Sequence, residues 1–193
     1  MTRGQWLERR TFVGADFDPA ALAARARAQG MRISVGLPAR DVACTVGAIV
    51  DAVRREWMGP VGLVDQIVVI DSDSTDATAR VAREAGAEVV RARDLLPAVG
   101  AVPGKGEALW KSLAVMRGDI VVWLDADVAP FDPAFVPGLV GPLVDDPAIA
   151  YVKALYRRDL HGEADAGGRV TEMCARPLIN LFYPELAGVV QPL

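Results

Sequence analysis

The chain has 193 residues, 52% of them hydrophobic, with 25 acidic against 21 basic side chains and a formal net charge of −4. That is material for about one globular domain, on a prior of roughly 100–200 residues each. The acidic balance, with a pI near 5.1, excludes the global positive field that a nucleic-acid backbone or an anionic membrane requires.

The N-terminal "MTRGQWLERRTFVGADFDP" places charges where a signal peptide needs an apolar core. Every apolar run falls short of the roughly 18 residues of a spanning helix, so a soluble, cytoplasmic protein without a membrane span is expected. Cys44 and Cys174 lie far apart and outside any C-x-x-C pair, which fits a reducing compartment, and both read as small buried hydrophobes.

"DPAALAARARAQG" reads as a helix with Asp18 as N-cap, Pro19 in the first turn and Gly30 past the end. "RISVGLPA" is a β-rich run stopped by Pro38, and "TVGAIVDAVRREW" carries Val46, Ile49, Val50, Val53 and Trp57 at helical spacing. "DQIVVID" is a second strand, "STDATARVAREAGA" a helix capped by Ser74 or Thr75, and "AEVVRA" a third strand. "GEALWKSLAVMRG" is helical, "DIVVWLDAD" is the next strand, and "AIAYVKALYRR" is read as one more. Strands alternating with helices predict an α/β fold whose mainly parallel, Rossmann-like sheet has helices on both faces.

Ligands of such sheets bind outside the carboxyl ends of the strands. Pro38-Ala39-Arg40-Asp41, Asp71-Ser72-Asp73-Ser74 and Asp125-Ala126-Asp127 all fall there. The D-x-D pair offers hard oxygens suited to Mg²⁺ or Mn²⁺, which in turn can hold a diphosphate; taken alone it reads rather as a solvated turn capping "PFDPAF". Gly104-Lys105-Gly106 opens a helix, so backbone N–H groups and an ammonium could meet a phosphate, although the spacing from Gly100 is too short for a Walker A loop. Gly167, Gly168, Arg169 and Thr171 open another helix in "GGRVTEMCARPL", with glycines for close approach and a guanidinium fork for an anion. The one histidine, His161, lies near no nucleophile motif and reads as a polar loop residue, and Trp6, Trp57, Trp110 and Trp123 as packing residues.

In order, "LPARD", "IDSDSTDAT", "PGKGEALWKSL", "VVWLDADV", "VPGLVGPLV" and "GGRVTEMCARPL" resemble glycosyltransferase family 81, the glucosyl- and mannosyl-3-phosphoglycerate synthases. The resemblance implies a GT-A fold, with residues 1–30 a helical lead-in and 31–193 the nucleotide-sugar-binding domain, the family's C-terminal acceptor and metal-ligand part missing. It implies a retaining transferase moving glucose or mannose from a nucleotide sugar, UDP-glucose foremost, to 3-phosphoglycerate. By the same resemblance Pro38, Ala39, Arg40, Ser72, Lys105, Asp125 and Ala126 contact the donor and Asp127 binds Mg²⁺ or Mn²⁺. Gly168, Arg169, Val170 and Thr171 would bind the acceptor, whose phosphate and carboxylate suit an arginine beside glycine N–H groups. No general base is nominated, and a homodimer is left open.

Two positions depart from the family pattern. Val42 stands where a nucleotide-contacting glutamate is common, and Asp73 stands where "DSGSTD" has glycine. Asp tolerates a left-handed turn, so the fold is expected to survive, but its charge is ill placed beside a diphosphate. Two rival readings remain at this level: a haloacid-dehalogenase-type phosphatase with Asp125 as nucleophile, and a fragment that binds a nucleotide sugar without turnover.

Overall fold

A computed structural model describes residues 3–100, 104–154, 159–160, 163–164 and 171–184. The chain divides into two compact units, one of residues 14–152 and one combining 1–13 with 153–193. The larger carries strands β1 (Ile33–Ala39), β2 (Gln66–Asp71), β3 (Glu88–Arg91) and β4 (Ile120–Trp123) in one sheet of order β3-β2-β1-β4. Every neighbouring pair is parallel. All four carboxyl ends therefore open on one edge.

The sheet is covered by helices α2 (Pro19–Ala28), α3 (Val46–Val53), α4 (Thr78–Glu84), α5 (Lys105–Ser112) and α6 (Phe135–Asp145). Helix α2 forms as its sequence predicts: the Asp18 carboxylate accepts from Ala21 N–H at 2.7 Å, and Gly30 leaves the helix at φ +69°. Strands β1 and β2 read as continuous apolar runs because both faces are covered. Val35, Leu37, Val68, Val69 and Ile70 are fully buried, each such side chain contributing about 1.5–3 kcal/mol.

Pro38 does not stop β1, which runs on to Ala39 with Pro38 opposite Ile70. The reason is the direction of the backbone groups. Ile33 and Ala39 carbonyls accept from Asp65 and Ser72 on the β2 side, whereas Arg32 and Gly36 carbonyls accept from Ile120 and Leu124 on the β4 side. Pro38 shares the parity of Gly36, so its missing N–H faces β4 and is not needed for the β2 ladder. Pairing with β4 ends there, and the chain after Leu124 is released to turn.

Three further expectations are corrected. Helix α4 begins only at Thr78, with Ala77 in the N-cap position, because Ser74 and Thr75 bond elsewhere. The segment read as a strand from Ala148 to Arg158 has none at 149–154, where Tyr151 is 76% exposed and no ladder partner is present among the described residues; 155–158 lie outside them. Cys44 and Cys174 are free and exposed rather than buried, since one sits in a loop and the other on a turn.

The smaller unit contains α1 (Arg3–Arg10), an antiparallel pair of β5 (Asp159–Leu160) and β6 (Glu163–Ala164), and α7 (Arg176–Phe182) after a wide turn at Thr171–Ala175.

Helix α6 contains Pro137, Gly138, Gly141 and Pro142, a poor helix composition. Its buried face, Val136, Val140 and Val144, supplies the compensation, and Gly141 lets the Phe17 ring reach the backbone. A Cβ at 141 would lie 2.2 Å from that ring. Gly141→Ala is therefore expected to lower stability by about 1–3 kcal/mol in urea denaturation; an unchanged midpoint would mean that Phe17 moves aside at no cost.

Candidate functional site

The two edges of the sheet differ in what their polar groups do. At the amino edge they satisfy one another: Ser34 Oγ donates to Gln66 Oε1 at 2.7 Å, Gly118 N–H to Ser34 Oγ at 2.8 Å, and Arg117 N–H to Gln66 Oε1 at 2.9 Å. Arg117 and Glu88 close this network as an ion pair, which holds the Glu88 carboxyl below its usual range. The carboxyl edge instead presents loops.

The loop after β1 is clasped to the loop after β2. Asp41 N–H donates to Ser74 Oγ at 3.0 Å, and its carboxylate accepts from Thr75 N–H at 2.6 Å. Val42 N–H donates to Thr78 Oγ1 at 2.8 Å, and Ala43 N–H to Asp76 at 3.1 Å. Ser74 N–H in turn donates to buried Asp71 at 3.3 Å. The threonines and serines read as helix caps are thus spent on holding two strand-end loops together. Asp41 and Asp73 adopt positive φ, +52° and +60°, a region short polar side chains tolerate.

Between these loops and β4 lies the crevice of the sheet, where the strand order reverses. Pro38 and Ala39 form its β1 lip, with Ala39 buried and Arg40 exposed; Ser72 N–H bonds Ala39 O at 2.9 Å. Across from them Thr45 Oγ1 donates to the carbonyl of buried Ala126 at 2.6 Å, which anchors the D-x-D turn to the β1 loop. Asp125 is partly buried and ion-paired with Lys105, the first residue of α5. Asp127 is exposed, and its carboxylate makes no hydrogen bond or ion pair among the described residues.

Two cations at this end carry little local sequence signal. Arg93, in the turn after β3, pairs with Asp73, so the charge that departs from the family pattern is neutralised within the chain. Lys111 of α5 is fully buried, a position no periodicity would assign to lysine. Val42, standing for a polar residue, packs partly buried against the main core. Trp57 is partly buried, with its indole N–H on Pro133 O at 2.8 Å, whereas Trp110 and Trp123 are 50% and 39% exposed. Gly168, Arg169, Val170 and His161 lie outside the described residues; Thr171 opens the turn before α7. Among the described residues no group of three or more His, Cys, Asp or Glu side chains is placed to hold a metal.

A parallel sheet of this order, with a D-x-D turn beside its crevice and helices on both faces, is consistent with a GT-A glycosyltransferase fold. The sequence model described as Glycosyl transferase family 2 matches residues 34–186, and the chain belongs to that family. Within it, the likeness read from the motifs is borne out. Glucosyl-3-phosphoglycerate synthase of Petrotoga mobilis is 47% identical over 169 residues, covering 86% of this chain and 52% of the relative. The crystal structure of mannosyl-3-phosphoglycerate synthase from Rubrobacter xylanophilus superposes with a TM-score of 0.88 at 45% identity, over 97% of this chain and 59% of that one. Glucosyl-3-phosphoglycerate synthase from Mycobacterium tuberculosis, in complex with Mn²⁺, UDP-glucose and phosphoglyceric acid, gives 0.80 at 45% identity, over 92% and 58%. The chain spans about half the length of the curated relatives it matches.

The loop clasp carries a pH dependence. The Thr78 hydroxyl, donating to Asp76, holds that carboxyl below its ordinary value, so the stabilisation is present above the ordinary range and is lost as pH falls through the lowered titration. Asp76→Asn is expected to melt earlier than the parent at neutral pH, with the gap narrowing below about pH 4; a gap independent of pH would remove the carboxylate from the account.

Proposed function

We propose that this chain binds UDP-glucose, with Mn²⁺ or Mg²⁺, at the carboxyl edge of its sheet, as the donor-binding part of a retaining glucosyltransferase acting on 3-phosphoglycerate. The supporting observation is an exposed Asp127, unengaged among the described residues, in a D-x-D turn beside a cation-bearing helix start at the crevice. It occurs in a chain 45% identical to an enzyme whose crystals hold Mn²⁺, UDP-glucose and phosphoglyceric acid.

On this reading Pro38, Ala39, Arg40 and Ser72 wall the nucleotide, and Asp125 and Ala126 meet the sugar nucleotide. Asp127 fits a hard divalent cation as a single carboxylate ligand, because such ions keep several positions for diphosphate oxygens and water. When bound, the ion supplies Lewis-acid stabilisation of the departing diphosphate. Lys105 brings a second positive charge to the same region. Its ammonium is held by Asp125 and would be shared with an arriving phosphate, which keeps it in position without leaving it unpaired. Gly168, Arg169, Val170 and Thr171 carry the acceptor assignment on sequence grounds alone. Exposed free thiols at Cys44 and Cys174 suit a reducing, cytoplasmic setting, and no helix among the described residues is long and apolar enough to cross a membrane.

Calorimetry with UDP-glucose, with and without Mn²⁺, tests binding, and mass analysis after adding 3-phosphoglycerate tests transfer. Mn²⁺-dependent binding and a glucosylated phosphoglycerate are expected. Release of inorganic phosphate from phosphoesters with no sugar donor would favour the phosphatase reading, and donor binding without product would leave the chain a binding module. Asp127→Asn should weaken Mn²⁺-dependent donor binding about tenfold or more, and Lys105→Ala should weaken UDP binding by about tenfold; undiminished binding in both would move the site elsewhere.

A further inference from the structure

The Lys111 side chain is fully buried, and an ammonium taken out of water costs several kcal/mol unless each of its donors is satisfied. Here its Nζ donates to Gly100 O at 2.7 Å, to Ala92 O at 3.3 Å and to Glu107 Oε1 at 2.8 Å. Glu107 is itself largely buried and lies one helical turn earlier on α5. Three donors meet three acceptors. Two of these acceptors are backbone carbonyls that bracket the segment from Ala92 to Gly100, which links β3 to the described start of α5 and packs few side chains of its own into the core. That segment carries Arg93, whose guanidinium grips Asp73 next to Ser72 in the β2 loop. A continuous set of contacts thus runs from the interior of α5, through the 92–100 segment, to the loop after β2.

We propose that Lys111 is a positioning residue for the donor nucleotide: its buried ammonium gathers the Ala92 and Gly100 carbonyls, and the segment so fixed presents Arg93 to Asp73 and sets the β2 loop beside Ser72. A structural apolar side chain could fill the same volume, but it could not hold two carbonyls together. The effect falls on donor affinity rather than on chemistry, because neither Lys111 nor Arg93 is placed at the D-x-D turn. This inference rests on the donor site proposed above, and its test separates the two.

The test uses Lys111→Met, which keeps an unbranched side chain one atom shorter and removes the donors, and Arg93→Ala, an exposed substitution that interrupts the same contacts without opening the core. Tryptic cleavage after Arg91 and Arg93 is followed in parallel with calorimetric affinity for UDP and UDP-glucose in Mn²⁺. Lys111→Met should be cleaved at these sites at least about tenfold faster than the parent, and both variants should bind UDP about tenfold more weakly. In an assay with 3-phosphoglycerate, the donor KM should rise with kcat within about twofold. Should Lys111→Met not fold, Arg93→Ala alone must show the loss of UDP affinity. Parent-like UDP affinity in Arg93→Ala, or parent-like cleavage and affinity in folded Lys111→Met, overturns the proposal. A parent chain that binds no UDP-glucose refutes the donor site itself; accelerated cleavage in Lys111→Met would then show the fixing of the segment alone.

Discussion

Everything at the carboxyl edge depends on how the backbone of β1 divides its hydrogen bonds. Ala39 turns to β2, whose last residue Asp71 is its register partner, so those two strands run out together and deliver their loops side by side. Gly36 turns to β4, and the next group facing that way is Pro38, which has nothing to donate. The β4 ladder closes at Leu124, and the following Asp125-Ala126-Asp127 leaves the sheet. One proline, placed where its missing N–H matters on one side only, opens the crevice in which the D-x-D turn sits.

The loops around that crevice are then ordered by polar contacts of their own. Asp41, Ser74, Thr75, Asp76 and Thr78 interlock the β1 and β2 loops, and Thr45 ties the D-x-D turn to the β1 loop through the Ala126 carbonyl. Such fixed surroundings would hold the proposed diphosphate site in shape before any ligand arrives, which reduces the ordering that binding must impose. At the opposite edge Ser34, Gln66 and Glu88 are consumed by one another and by Arg117.

Much of this was legible from residue pattern because the relevant signals are local. The Asp18 cap, the Gly30 exit, the buried runs of β1 and β2 and the strand-end aspartates each follow from a few neighbouring residues. Pro38 ends no strand because the side to which a strand residue's N–H points depends on its neighbours, not on its own segment. A hydroxyl before a helical run has the local meaning of a cap, as at Ser74 and Thr75; the competing partners, the N–H and the carboxylate of Asp41, belong to a loop more than thirty residues away in sequence. Helix α6 gave no helical signal through its prolines and glycines, and only packing against Phe17 and the core explains it. Lys111 and Arg93 give little local signal for the same reason: apart from Glu107 on the same helix, their partners are carbonyls and a carboxylate of other segments. The fold and the list of strand-end residues could be read; the way those residues are held could not.

On the proposed function, a metal-bound diphosphate lies at the carboxyl edge of this sheet, against Asp127. Paramagnetic broadening by Mn²⁺ in a ¹⁵N-labelled sample containing UDP tests it most directly. Selective loss of the amide signals of Arg40, Ser72, Ala126 and Asp127 is expected, with those of Arg32, Gln66 and Asp119 at the amino edge retained. Broadening centred on the amino edge, or spread evenly over the surface, would contradict it.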